Sequence, residues 1–191
     1  MNERRRVVVT GVGLLSALGG DDEQMAGRLF SGQGGVARLR SLDPTKYKSQ
    51  SAAELAPEVL PAALAALGVR AGDRTTDMAL VVAGQALAAA GLLPGGPGSL
   101  AEATAVVFGS GNGPSHALQE AWDTYAQKGG RMMRPTTVPR CMANVLSSTV
   151  SIHYGLRGGN YVVVSSCSSS TMAIGLGYRS VLHGYAERVL C

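Results

Sequence analysis

The sequence predicts an α/β fold built around a largely buried sheet, and three observations carry that expectation. Short apolar runs at Arg6–Thr10, Thr104–Phe108, Tyr161–Val164 and Arg188–Cys191 alternate with stretches of helical period. The cores of these runs are continuously apolar rather than alternating, the pattern of strands covered on both faces. Glycine is abundant, 26 of 191 residues, while aromatic residues make up only 5%, so the elements can pack closely.

The elements follow in order. Arg6-Val7-Val8-Val9-Thr10 reads as a buried strand ended by Gly11-Val12-Gly13. Asp21 and Asp22 start a short helix over Glu23–Phe30, and Ser31–Gly35 is a turn. Leu39–Ala53 reads as irregular, with a turn signal at Asp43-Pro44. Pro57–Leu67 is an Ala/Leu helix ended by Gly68. Thr76-Asp77 is the expected cap of a longer helix, Met78–Ala90, ended by Gly91. Pro94–Gly98 is a loop. Thr104–Phe108 is the second strand, closed by Gly109 and Gly111, with a helix from Ser115 to Gln127 after it. Pro139–Tyr154 reads as one helix stopped at Gly155. Tyr161–Val164 is the third strand, Thr171–His183 a helix stopped by Gly184, and Arg188–Cys191 a fourth strand. With no repeat and no linker, residues 1–191 read as one domain. An apolar strand as the last element is unusual, and the chain is expected to be part of a longer one.

Composition narrows the function classes. Hydrophobic residues reach 46% but charged residues only 16%, against roughly 25% in typical soluble domains. Either the core is large or a partner covers much of the surface. The charge of +4 comes without a Lys/Arg run interleaved with aromatics, so nucleic acid is not an expected partner. Arg4, Arg5 and Arg6 read as a solvated basic terminus. No segment is apolar and long enough to span a bilayer, and the opening run is too short and interrupted for a signal peptide. Cys141, Cys167 and Cys191 contain no metal-type pair, and they read as reduced thiols of a cytoplasmic protein.

Chemistry concentrates at Val162-Val163-Val164-Ser165-Ser166-Cys167-Ser168-Ser169-Ser170. A buried strand delivers a thiol into a run of small residues that opens the next helix. The thiolate is a thiol's reactive form, and helix N-termini favour anions. The residues alone leave two readings open: a nucleophile turn, or a Ser-rich cap with a structural Cys. Gly109-Ser110-Gly111-Asn112-Gly113 closes another strand but fits neither G-x-G-x-x-G nor the P-loop pattern. In a parallel sheet, loops at the carboxyl ends of strands share a crevice, so this loop and Cys167 could form one site.

Together these segments resemble the condensing enzymes of fatty-acid and polyketide synthesis, the β-ketoacyl-acyl-carrier-protein synthases. Val7–Gly13 resembles their opening strand, Leu29–Val36 (LFSGQGGV) the next segment, and Gly109–Gly113 their glycine loop. Val138-Pro139, Asn144 and Tyr154–Gly158 resemble the helix and turn before the catalytic strand, in register with Cys167 and without a gap. The resemblance implies the N-terminal half of a thiolase-like fold: a mixed five-stranded sheet with helices on both faces, in an enzyme about twice this length. It implies that Cys167 takes the acyl chain as a thioester, and that malonyl-carrier then decarboxylates and condenses with it. The reaction so implied needs no metal or organic cofactor. Two departures, Ser166 for Ala and Ser170 for Gly, keep the turn small. Asn112 and Thr137 stand where long-acyl members have bulky apolar residues, and they argue against a long saturated acyl chain. Arg131, with Arg74 on the same face, is implied as a docking site for acyl carrier protein. The Tyr161–Ser165 strand is implied to pair with its own copy or with a paralogous subunit. The family's catalytic histidines and supporting lysine lie in its second half. His116, His153 and His183 match no such motif and read as structural, so residues 1–191 alone are expected to lack condensing activity. The alternatives are a non-catalytic chain-length-factor partner, which normally lacks the cysteine, and a coenzyme A thiolase, which the Tyr154–Gly158 turn disfavours.

Overall fold

The computed structural model describes residues 5–93 and 98–191; Arg4 and most of the Pro94–Gly98 loop lie outside the described residues. The elements are α1 (Asp22–Phe30), β1 (Val36–Arg38), β2 (Ser51–Ala53), α2 (Val59–Ala66), α3 (Arg74–Ala89), β3 (Ala105–Gly109), α4 (Ser115–Lys128), α5 (Thr137–Cys141), α6 (Val145–Tyr154), β4 (Asn160–Val163), α7 (Ser169–Leu182) and β5 (Val189–Leu190).

Three strands form a parallel sheet in the order β4-β3-β5, with Gly109 opposite Val163 and Val106 opposite Leu190. Antiparallel pairing is confined, among these named strands, to the β1–β2 hairpin, whose second strand closes the Leu39–Ala53 stretch that reads as irregular. β3 is covered on both faces. Val106 joins Leu80, Ala83, Leu87, Val150, Tyr154 and Leu156 in the main core on α3 and α6, with Phe108 packed against it. Gly109, on the opposite face by the two-residue period of a strand, lies against the backbone of Ser169 at the start of α7. The buried residues of α7 are Ser169, Ala173 and Gly177, a stripe of small residues at helical spacing that lets this helix sit close to the sheet.

The first apolar run departs from expectation. Arg6–Thr10 forms no strand, and Val9 is 83% exposed. Both edges of β3 are taken by β4 and β5, and the run pairs with the outer edge of neither. The chain is held one step later instead. A Cβ at Gly11 would overlap the Ala86 carbonyl of α3, and one at Gly13 would overlap that of Val82. These glycines exist for close backbone approach. The Gln85 side chain ties the segment down, accepting from Leu14 N at 2.8 Å and donating to Gly20 O at 2.5 Å. The sheet is therefore three-stranded and parallel among the described residues, where the resemblance implies five strands of mixed direction.

The start of α3 is also corrected. Its N-cap is Asp73, whose Oδ1 accepts from Thr75 N at 3.0 Å and Thr76 N at 3.2 Å, while Thr76 and Asp77 are buried in the first turn. The segment read as one helix over Pro139–Tyr154 breaks into α5 and α6, because Met142 is extended and Ala143 packs against Gly113 at φ +63°. Elsewhere the breakers act as read: Asp21 caps α1 through Gln24 N at 2.8 Å, and Gly155 ends α6 in the left-handed conformation at φ 68°.

The surface is unusually apolar. Phe30, Ile152 and Tyr185 are, like Val9, more than four-fifths exposed, and α7 turns Met172, Ile174, Leu176 and Tyr178 outward. The low charge thus goes with apolar side chains on the surface of the described residues. Among the described residues no helix is long and apolar enough to cross a membrane, and no cluster of metal-ligating side chains occurs.

Asp77 makes stability depend on pH in a definite sense. Burial pushes its carboxyl above the ordinary 3.8 and the Asp73 charge adds to this, while the Gly72 N–H opposes it. A raised folded-state value means the folded protein binds this proton more tightly than the unfolded chain does. The ionised Asp77 therefore costs stability, a cost absent below the ordinary aspartate range and complete above the raised value. Asp77→Asn removes it. The difference in thermal midpoint, variant minus parent, should grow as pH rises from below 3.8 towards neutral. A difference that shrinks over that range contradicts the assignment.

Candidate active site

β4 ends at Val163, and Val164-Ser165 lead into a single 3₁₀ turn, Ser166–Ser168, that opens directly into α7. Cys167 is the middle residue of that turn and is exposed. The sequence dictates this shape: the β-branched run stops, four of the five residues after it are serines, and none is bulky enough to bar a sharp turn. Ser166 has φ +49°, the only positive value of a non-glycine among the described residues. Holding a side chain there costs about 1–2 kcal/mol, so the surroundings must impose it.

A ring of hydrogen bonds does so. Ser165 N donates to Ser169 Oγ at 2.8 Å, and Ser169 Oγ donates to Ser166 O at 2.8 Å. Ser168 N and Ser168 Oγ both donate to Ser165 O, at 3.1 and 2.8 Å. The glycine loop completes the turn's surroundings. Ser110 N donates to Val163 O at 3.1 Å, extending the β3–β4 ladder one step, and a Cβ at Gly111 would stand 3.6 Å from Ser166 O. The loop and the cysteine turn therefore meet at the carboxyl ends of adjacent parallel strands, as expected.

The far side of the loop is anchored by a residue that the sequence does not advertise. Pro114, the residue before α4, offers no side-chain cap. Asp73 supplies one across 44 positions, its Oδ2 accepting from Ala117 N at 2.9 Å. One buried carboxylate thus caps α3 and α4 together and fixes the helix that carries the loop. Only the composition of an Asp before a helix hinted at a cap there, and nothing local pointed to Ala117.

The other predicted residues fall in several places. Asn112 is exposed on the glycine loop beside Gly113, and Thr137 is half-buried as the first residue of α5. Arg131 is exposed in the 3₁₀ turn Gly130–Met132 after α4, Arg74 is exposed as the first residue of α3, and neither joins an ion pair among the described residues. His153 stacks edge-on against Tyr154 at 4.6 Å, and His183 is the C-cap of α7. The other thiols are more enclosed at sulfur. Cys141 Sγ donates to Ala117 O and Cys191 Sγ to Ala173 O, each at 3.6 Å. Burial of its sulfur against α7 pushes the Cys191 thiol above its ordinary range.

The fold and site define an α/β protein that presents a thiol on a strained strand-to-helix turn beside a glycine loop. The chain belongs to the β-ketoacyl synthases: residues 4–191 match the family's N-terminal domain. It is 30% identical over 98% of its length to the 3-oxoacyl-[acyl-carrier-protein] synthase 2 of Coxiella burnetii, and 29% identical over its full length to that of Staphylococcus aureus. It spans 45% of the length of each. A β-ketoacyl synthase structure from Burkholderia phymatum superposes with a TM-score of 0.68 at 26% identity, covering 93% of this chain and 43% of that one. The ishigamide ketosynthase/chain length factor superposes at 0.78 over 96% of this chain and 45% of its own, with 24% identity, a likeness of fold.

Proposed function

We propose that the protein is a β-ketoacyl-acyl-carrier-protein synthase in which Cys167 accepts the acyl chain. The observation that carries this is the exposed Cys167 thiol at the strand-to-helix turn, in a chain that matches the family domain from residue 4 to residue 191. The Cys167 thiolate attacks the thioester carbonyl of an acyl carrier, a new C–S bond forms, and the carrier's thiol leaves. A malonyl-carrier thioester then loses CO₂, and the resulting carbanion attacks the acyl–Cys167 carbonyl. The β-ketoacyl product stays on the carrier and the cysteine is released. The backbone N–H of Cys167 serves as one donor to the developing oxyanion. Asn112 and Thr137 line the acyl pocket and favour a short or polar chain. No cofactor enters this sequence, and the cytoplasm is the proposed compartment.

The outer edge of β4, which pairs with no named strand among the described residues and has Tyr161 exposed, supports the pairing of strand Tyr161–Ser165 with a second copy or a paralogue, since an open strand edge seeks a partner. A chain-length-factor role is disfavoured by the cysteine itself.

Arg131 is the proposed contact for an acidic carrier, with Arg74 assisting. Arg131→Glu in the whole protein should slow acyl transfer from the carrier roughly fivefold at low salt and flatten its salt dependence, as loss of a steering charge does. Transfer from a small pantetheine thioester should be unchanged. Equal loss with both donors would contradict carrier docking at this residue.

A further inference from the structure

Four serines flank Cys167 between Ser165 and Ser169, and only one of them is buried: Ser169, 2% exposed. Its hydroxyl bonds on both sides of Ser166, accepting from Ser165 N and donating to Ser166 O, both at 2.8 Å, and its backbone N–H donates to the same Ser166 O. Ser166 is the residue held at φ +49°. The Ser168 hydroxyl is exposed and reaches Ser165 and Met172, so it restrains the turn on the side before Ser166 and leaves the Ser166 carbonyl to Ser169.

We infer that Ser169 is the positioning residue of the thiol: its hydroxyl holds Ser166 in the left-handed conformation and thereby sets the direction in which Cys167 is presented. As a statement about catalysis this rests on the reading of Cys167 as acyl acceptor; as a statement about the turn it does not. Ser169 touches no reacting atom and acts through the backbone of the two residues before Cys167. Gly109 is part of the same device, because the absence of its Cβ lets the Ser169 backbone close on β3.

The inference has a specific signature, because glycine adopts positive φ without a penalty. If the hydroxyl works by restraining a reluctant residue, Ser166→Gly should make it largely dispensable. Thermal unfolding of the whole protein tests this without reference to activity. Ser169→Ala should lower the midpoint by about 5 °C in the parent background and by less than half as much alongside Ser166→Gly. In parallel, the rate constant for acylation of Cys167 at saturating acyl-carrier should fall about tenfold in Ser169→Ala, with the half-saturating concentration unchanged, and return towards the parent value in the double variant. Folding of the double variant where Ser169→Ala alone fails to fold also supports the lock. Equal midpoint losses in both backgrounds, or failure of both variants to fold, overturn it whether or not Cys167 is acylated. A parent protein that takes no acyl group on Cys167 but shows the thermal rescue overturns the functional reading and leaves the lock standing.

Discussion

If Cys167 is the acyl acceptor as proposed, Cys167→Ala should abolish acyl uptake from the carrier, a fall of at least about 10³-fold, because no other group on the turn can form the thioester. The fold should survive. Cys167 is exposed, no hydrogen bond of its side chain is among those that hold the turn, and the restraints on Ser166 come from Ser165, Ser168 and Ser169. The variant should therefore keep its thermal midpoint within about 2 °C of the parent while losing the covalent intermediate, since surface changes away from such features cost little. The remaining thiols cannot compensate: Cys141 and Cys191 lie on α5 and β5's far end with their sulfurs directed at carbonyls of α4 and α7. Retention of half the parent's acyl loading in Cys167→Ala would move the chemistry to another residue.

Gly109→Ala is expected to be strongly damaging, and at a place that reaches the cysteine turn. Its Cβ would overlap the Ser169 carbonyl and the Ser170 nitrogen, backbone atoms that cannot rotate away. Either β3 or the start of α7 must shift. Overpacking of this kind costs about 3 kcal/mol. The same shift moves the turn that presents Cys167, and a displacement of about 1 Å at a reacting group can cost on the order of 100-fold in rate. Gly111→Ala is the matched control. Its Cβ meets Ser166 O at 3.6 Å, an ordinary contact, and its φ is not positive, so stability and acylation should stay near parent values. Thermal unfolding and acyl-transfer rates on the pair separate close packing from a general intolerance of the loop. Similar losses in both would contradict the packing argument.

These two results also show what kind of information a sequence carries. The helices were legible where a local residue decides the boundary. Asp21 accepts from Gln24 N at the start of α1, and Gly155 and Gly184 take positive φ after α6 and α7. The cysteine turn was legible because an apolar strand, a thiol and a run of small residues are adjacent in the chain. What could not be read depends on residues far apart. Val7–Val9 have the composition of a strand, but a strand exists only when it docks on a partner edge, and here the close approach of Gly11 and Gly13 to α3 holds the chain instead. The break between α5 and α6 contains neither Gly nor Pro; it follows from the approach of Ala143 to Gly113. Asp73 serves Ala117 from 44 positions away. Ser169 is one serine in a run of serines, and only burial and the two bonds at 2.8 Å distinguish it from its neighbours. The thiol-bearing turn was thus visible and its support was not, since support is a property of packing.

The most direct measurement is the site of acylation. The whole protein is incubated with an acyl-carrier thioester, digested without reducing agent at mildly acidic pH to preserve thioesters, and mapped by mass. The acyl mass should appear on the peptide containing Cys167, and on no peptide of the Cys167→Ala protein. An acyl group on the peptides of Cys141 or Cys191, with Cys167 unmodified, would contradict the account.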